Sequence, residues 1–252
     1  MAHRAPFDVF TRSTFGIEPG SHVGAQLESL SSRSSLRKGE PAPVDQCTDH
    51  IVFISDGAAK LVARASEDRE QIVSFHFGGD IVSVPAERCY TYSLISLSDS
   101  ELLTFPTREF FDHAVAEARI SRALLVRLPS ALHRCRDRAV ALGKGTALER
   151  LAGFLFAMSE RIGRIEGNRC ELNLPMSRRE IAESLGLTIE TISRQLGNLR
   201  KMGLIETAGR SKVTLLELDT LSRQAGHSKF SAQSTANPKN LISINVDVDQ
   251  LA

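Results

Sequence analysis

The sequence contains no long apolar run. The longest candidate, residues 151 to 158, is far shorter than the ~20 residues that a membrane-spanning helix needs. The opening residues, MAHRAPFDVFTRSTFG, also lack the apolar stretch of a secretory signal. We therefore expect a protein without membrane contact, located in the cytoplasm.

Closely spaced cysteines are lacking as well. Cys47, Cys89, Cys135 and Cys170 stand far apart, and no two of them form a C-x-x-C pair. This spacing predicts neither a zinc site nor an iron–sulfur cluster, so we expect no metal and no cofactor. In a reducing cytoplasm a disulfide framework is not expected either, and structural or inert roles are favoured for these cysteines.

The chain has no excess of charge of one sign. Its 31 Lys and Arg residues against 30 Asp and Glu residues give a formal net charge of +1. This balance excludes the strong global field of a protein that coats nucleic acid indiscriminately, but it leaves room for a local basic surface. Between residues 119 and 138 arginines do outnumber acidic residues.

A hydrophobic content of 42% in 252 residues suffices for a buried core in one large or two ordinary domains.

Composition changes along the chain. Residues 1 to about 50 are rich in Ser, Pro and Gly, which predicts an arm or loops rather than part of a core. From Ile51 to Phe105, short β-favouring runs alternate with turn signals such as Asp56-Gly57, which predicts an antiparallel sandwich or barrel. The polar residues 226–252 predict a flexible tail.

A long helix is predicted next, with a narrow apolar seam at alternating spacings of three and four. One interpretation is a helix packed on its own domain. We favour the other, in which the seam joins two copies of the chain. Pro129 lacks a backbone donor, so we expect a kink or an interruption there. The seam consists of Leu125, Leu128, Leu132, Cys135, Ala139 and Leu142.

Residues 174–205 carry the most informative pattern. Ser177 and Glu180 form a capping box before an apolar run, and Gly186 is placed to end that short helix. Thr188 can cap a second helix at once, with Ile192, Leu196 and Leu199 on its apolar face. Two helices joined by a tight turn that contains Gly predict a helix-turn-helix.

The polar face of the second helix can read a base pair. Glu190 and Arg194 lie four residues apart and project together, with Ser193 beside them. A carboxylate can accept from cytosine N4, and a guanidinium can donate to guanine O6 and N7. The alternative is a solvated ion pair worth ~0.2–0.5 kcal/mol.

The segment after this helix has the pattern of a wing. Residues 203–205 and 208–215 indicate two strands around a turn, with Arg210 and Lys212 placed to approach backbone phosphates. The alternative is an ordinary solvated hairpin.

These features together resemble the Crp/Fnr superfamily of bacterial transcription regulators, most closely its FixK branch. The resemblance covers roughly residues 38 to 222 and is most specific in ALERLAGFL (147–155), LPMSRREIAESLGLTIETISRQL (174–196) and KMGLIE (201–206). It implies an α+β fold with an antiparallel β-roll of the cyclic-nucleotide-binding type, a dimerisation helix and a winged helix-turn-helix. The expected segments are an arm (1–37), the β-roll (38–118), the helix (119–142), the DNA-binding domain (143–225) and the tail (226–252).

The resemblance also implies roles for particular residues. Glu190, Ser193 and Arg194 match the family's base-reading triplet, which implies a palindrome of the type TTGAT…ATCAA. Ile189 stands where the cyclic-AMP receptor carries an Arg. Phosphate contacts are implied for Ser177, Arg178, Thr188 and Thr191.

Each signal that is familiar in this family requires particular residues. A cyclic nucleotide would need a Gly-Glu pair and an Arg-Ser pair around its phosphate, and neither pair is found in the segment after Gly79-Asp80, where Arg88 is the only cation and is followed by Cys89. Haem would need an axial ligand, and His76 is better explained as a satisfied, half-buried histidine. We therefore expect a FixK-like protein without an obvious effector.

The expected function is a homodimeric, sequence-specific DNA-binding activator in the control of genes for low-oxygen or nitrogen-oxide metabolism. RNA polymerase is a further partner that the resemblance implies. The alternative is a regulator of the same fold gated by a small molecule. An enzyme is not expected, because no His neighbours a Cys at a productive spacing.

Overall fold

The computed structural model describes residues 6–66 and 69–226. The helices are α1 (Pro6–Asp8), a π-helix (Val9–Phe15), α2 (His22–Leu30), α3 (Thr107–Ala116), α4 (Ala118–Lys144), α5 (Ala147–Ile162), α6 (Arg178–Leu185), α7 (Ile189–Lys201) and α8 (Leu218–Gln224). The strands are β1 (Ser32–Leu36), β2 (His50–Asp56), β3 (Ala58–Ser66), β4 (Arg69–Phe77), β5 (Ile81–Val84), β6 (Thr91–Ser96), β7 (Ser100–Pro106), β8 (Arg164–Glu166), β9 (Arg169–Asn173), β10 (Ile205–Ala208) and β11 (Lys212–Leu215).

Two compact units divide the chain. The first contains Met1–Lys144 and Leu174–Arg194, and the second contains Gly145–Asn173 and Gln195–Ala252. This division differs from the boundary predicted at residue 143, because α6 and the start of α7 group with the N-terminal sheets. Antiparallel sheets, one long helix and a C-terminal helix-turn-helix confirm the predicted α+β class.

Two antiparallel sheets, ordered β1-β7-β2-β5 and β4-β3-β6, form the β-structure of the first unit. Strand β2 is buried on both faces, which explains its continuous apolar run. Val52 and Ile54 pack in a cluster with Leu94 and Leu102, among others. The alternate residues, including Phe53, pack in a second, largely aromatic cluster.

The N-terminal segment supplies much of that aromatic cluster. Phe7, Phe10 and Phe15 are buried, and the Phe10 ring stacks on Phe105 with centroids 4.8 Å apart. Strand β1 then pairs with β7. The prediction of an arm outside the core is therefore wrong for the described part of residues 1–37. The prediction rested on the overall composition of the segment and gave no weight to these three phenylalanines, which helical structure can place on one side.

Helix α4 extends Ala118–Lys144 and runs through Pro129 without interruption. Near its start, Ile120 is buried against the aromatic cluster and Leu124 packs beside it. The predicted seam lies on the exposed part of the helix. All six seam residues are exposed in this single chain, from Leu125 to Leu142. None of the described helices is long and apolar enough to cross a membrane.

The second unit contains a small sheet, the helices α5 and α8, and the end of α7 from Gln195 onward. Its strand order is β10-β11-β9-β8, and α8 packs against α5. A capping box of Thr146 and Glu149 starts α5. The hairpin β10–β11 turns at Gly209, whose φ of 64° favours glycine. The predicted tail, residues 226–252, lies outside the described residues except for Gly226.

Candidate nucleic-acid interface

Helix α6 begins and ends at the residues that the sequence indicated. The Ser177 hydroxyl accepts a hydrogen bond from the Glu180 backbone at 3.2 Å, and Glu180 Oε2 accepts from the Ser177 backbone at 2.8 Å. Gly186 follows α6 with a φ of 62°, a conformation that disfavours residues with a Cβ. The predicted capping box and helix end are confirmed.

Helix α7 starts after a turn of only a few residues. The Thr188 hydroxyl accepts a hydrogen bond from the Thr191 backbone at 3.2 Å, as expected of a capping residue. The pKa of Glu190 is lowered, first by a hydrogen bond from its own backbone N–H and second by one from the Thr188 side chain. Glu190 is thus a carboxylate at neutral pH and a ready acceptor.

The polar face of α7 is open. Glu190, Ser193 and Arg194 are exposed, whereas Ile192, Leu196 and Leu199 are buried. No ion pair joins Glu190 to Arg194 in the described structure, so the solvated pair considered above is not formed. The two side chains are not paired with each other, and both are exposed to groups outside the chain.

The residues predicted to contact phosphates fall in both units. In the first unit, Ser177, Arg178 and Thr188 are exposed around the start of α6 and of α7, and Thr191 is half-buried. In the second unit, Arg210 lies at the turn of the hairpin and Lys212 opens β11, and both are exposed. Exposed donors at the start of α6 suit an anion.

Sequence reasoning missed a set of contacts that hold α6 within the first unit. Lys60 Nζ lies 2.8 Å from Glu180 Oε1, and Gln71 Nε2 donates to the Glu183 carbonyl at 2.7 Å. Arg138 donates to the Ser184 carbonyl at 2.6 Å. Lys60 stands among apolar residues in β3, but so does Arg64, and contacts between distant segments leave no periodic pattern that would single out either residue.

The β-structure of the first unit contains an open cavity of about 400 Å³. Among its lining residues are Arg88 and Cys89, with Asp49 Oδ2 at 3.8 Å from Arg88 Nη2. His76 lies elsewhere, half-buried, with Nε2 at 2.7 Å from Ser74 Oγ and Nδ1 at 3.6 Å from Asp80 Oδ2. Both ring nitrogens thus face protein groups.

A family model described as "Crp-like helix-turn-helix domain" matches residues 149–224. A "Probable transcriptional activator" of Rhizobium leguminosarum bv. viciae is 32% identical over 213 residues, which cover 82% of this chain and 88% of that protein. The "Nitrogen fixation regulation protein FixK" of Rhizobium meliloti (strain 1021) is 32% identical over 173 residues, or 69% and 77% of the two chains.

Solved structures agree with these relatives. FixK2 from Bradyrhizobium japonicum superposes with a TM-score of 0.65 at 28% identity, over 77% of this chain and 97% of that one. A CooA mutant from Carboxydothermus hydrogenoformans gives 0.69 at 21% identity, over 89% and 97%, which supports the fold alone. The chain belongs to the Crp/Fnr family of DNA-binding transcription regulators, which are not enzymes, and within it to the FixK-like branch.

Proposed function

We propose that this regulator acts as a homodimer that activates transcription after reading a palindrome of the type TTGAT…ATCAA. The observation that carries the proposal is the open face of α7, where Glu190 and Arg194 are both exposed and not paired with each other. An exposed pair of opposite charges one helical turn apart matches the edges of a G·C pair.

Each base-reading residue has a chemical task. Arg194 donates two hydrogen bonds to guanine O6 and N7, and Glu190 accepts one from the cytosine amino group. The lowered pKa of Glu190 keeps it ionised for that task at neutral pH. Ser193, the residue before Arg194, is short enough to approach a neighbouring base.

Phosphate contacts would fix the register of the helix on the duplex without reading sequence. Ser177, Arg178, Thr188 and Thr191 would supply them from the helix-turn-helix. Arg210 and Lys212 would add contacts from the wing. These roles are supported by the exposure of the side chains, since all of them are exposed except Thr191, which is half-buried.

Dimerisation is supported by the exposed seam of α4. A stripe of exposed leucines is unusual on a monomer and marks an interaction surface. Two copies joined along α4 would present two α7 helices to successive major grooves, roughly 34 Å apart. An inverted repeat follows from the two-fold symmetry of such a dimer. As an activator, the DNA-bound dimer would contact RNA polymerase.

The regulated genes are proposed to serve low-oxygen or nitrogen-oxide metabolism, in keeping with relatives whose names refer to nitrogen fixation and to fumarate and nitrate reduction, and the leading proposal includes no small-molecule effector. The cavity beside Arg88 favours a second candidate, gating by a small molecule. A thermal-shift screen against nucleotides, haem and nitric oxide donors separates the two. An unshifted melting temperature together with intact DNA binding would count against gating.

The base-reading role is tested by Arg194→Ala. We expect this variant to lose ~1–3 kcal/mol of binding free energy on a duplex with the intact repeat, and to lose none on a duplex whose G·C pairs are replaced. Fluorescence anisotropy with both duplexes measures the difference. Arg200→Ala is the matched control, since it removes the same charge from the last turn of α7, away from the base-reading end. If Arg194→Ala weakens both duplexes equally, the base-reading role is wrong.

A further inference from the structure

Arg138 links three elements of the first unit. Its Nη2 atom donates to the Ser184 carbonyl on α6 at 2.6 Å and to the Ile72 carbonyl on β4 at 2.7 Å. The side chain starts from α4, so one guanidinium nitrogen connects α4, β4 and α6. Carbonyls bound by a charged donor form stronger hydrogen bonds than neutral pairs.

The other end of α6 is held by Lys60. Its ammonium binds Glu180 Oε1, and the two side chains are only 18% and 17% exposed. Burial by itself would raise the pKa of Glu180, but hydrogen bonds from Lys60 and Ser177 outweigh that effect and lower it. Gln71 adds its bond to the Glu183 carbonyl. Because α6 is bound near both ends, it cannot pivot about a single contact.

The orientation of α6 determines that of the base-reading residues. Gly186 and the two residues after it are all that separates α6 from α7. Glu190 and Arg194 belong to the same compact unit as α4 and the sheets. Whatever fixes α6 within this unit therefore also fixes the start of α7.

Arg138 also lies beside the seam, directly before Ala139 and three residues after Cys135. In the homodimer proposed above, on which this inference rests, the seam contains the two-fold axis. We infer that Arg138 and Lys60 are positioning residues that set the distance of each α7 helix from the dimer axis. They thereby determine which spacing between DNA half-sites the protein accepts, although neither residue touches DNA.

The experiment measures affinity for a series of duplexes. Each carries TTGAT and its inverted copy, with the spacer between them changed in steps of one base pair. A duplex with a single half-site and a scrambled duplex complete the set. The proteins are the wild type, Arg138→Ala, Lys60→Ala and the control Arg134→Ala, which removes an exposed arginine from the same helix. Thermal melting of each protein confirms that it is folded.

We expect the wild type and Arg134→Ala to bind one spacing at least ~10-fold more tightly than its neighbours. Arg138→Ala and Lys60→Ala should reduce that ratio to ~3-fold or less. Their affinity for the single half-site should stay within ~2-fold of the wild type, because the reading face is unchanged. If Arg138→Ala does not fold, Lys60→Ala decides alone.

Other outcomes overturn the inference. A variant that keeps the wild-type ratio shows that the contact does not set spacing. A variant that loses affinity equally for every duplex, the single half-site included, shows a merely structural role. A wild type that binds half-sites specifically but ignores spacing also contradicts it. A wild type that does not distinguish the repeat from scrambled DNA removes the proposed function itself, and the inference with it.

Discussion

The seam of α4 makes a quantitative prediction about dimerisation. Leu128 and Leu132 are 53% and 46% exposed in the single chain, so a partner helix would bury about half of each side chain. Complete burial of a leucine contributes ~2 kcal/mol, and half of that is ~1 kcal/mol per side chain. The double variant Leu128→Ala/Leu132→Ala changes four side chains in a symmetric dimer.

The expected loss of dimerisation free energy is therefore ~4 kcal/mol, which raises the dissociation constant of the dimer on the order of a thousandfold. Sedimentation velocity over a range of protein concentrations measures this constant. The matched control is Val126→Ala/Val140→Ala, because both valines are exposed on the same helix but lie off the seam. The reasoning is refuted if the leucine variant dimerises like the wild type, or if the valine control weakens the dimer as much.

Three further changes test the wing, the aromatic core and the burial of Cys170. Lys212→Ala should weaken binding to all DNA sequences alike and lower the slope of log affinity against log salt concentration by about one, as measured by titrations at several salt concentrations. A sequence-dependent loss of affinity would argue against a phosphate contact. Phe10→Ala should lower the free energy of unfolding, measured in urea, by ~3–5 kcal/mol, whereas Phe111→Ala at an exposed ring should lower it by far less. Equal losses of stability would contradict a core role for Phe10. Burial raises the pKa of the Cys170 thiol to about 11. At neutral pH iodoacetamide should therefore label the exposed Cys89 and spare Cys170, as measured by peptide mass spectrometry. Rapid labelling of Cys170 would contradict its burial.

Local signals explain why the helix-turn-helix was predictable. The capping box at Ser177 and Glu180 and the glycine at residue 186 act over a few residues, so the sequence contains all of their information. Strands β2 to β7 were predictable for a similar reason, since short apolar runs separated by turn residues indicate antiparallel sheets.

Contacts between distant segments were not predictable in the same way. Composition described residues 1–37 as an arm because Ser, Pro and Gly outnumber the phenylalanines that enter the core. Arg138 is one of several arginines between residues 119 and 138, and nothing in the neighbouring sequence indicates that it binds the carbonyl of Ser184. Pro129 was expected to disturb α4. Pro129 is exposed, so water can hydrogen-bond to the carbonyl of the preceding turn, which has no donor because proline lacks an N–H.

Selection of bound duplexes from a random pool is the sharpest test of base reading by α7, because the selection assumes neither the palindrome nor the dimer. We expect an enriched inverted repeat with one invariant G·C pair in each half-site, and we expect Arg194→Ala to lose the preference at that pair. Enrichment of no sequence, of a single unrepeated site, or of the same G·C pair by Arg194→Ala would contradict this expectation.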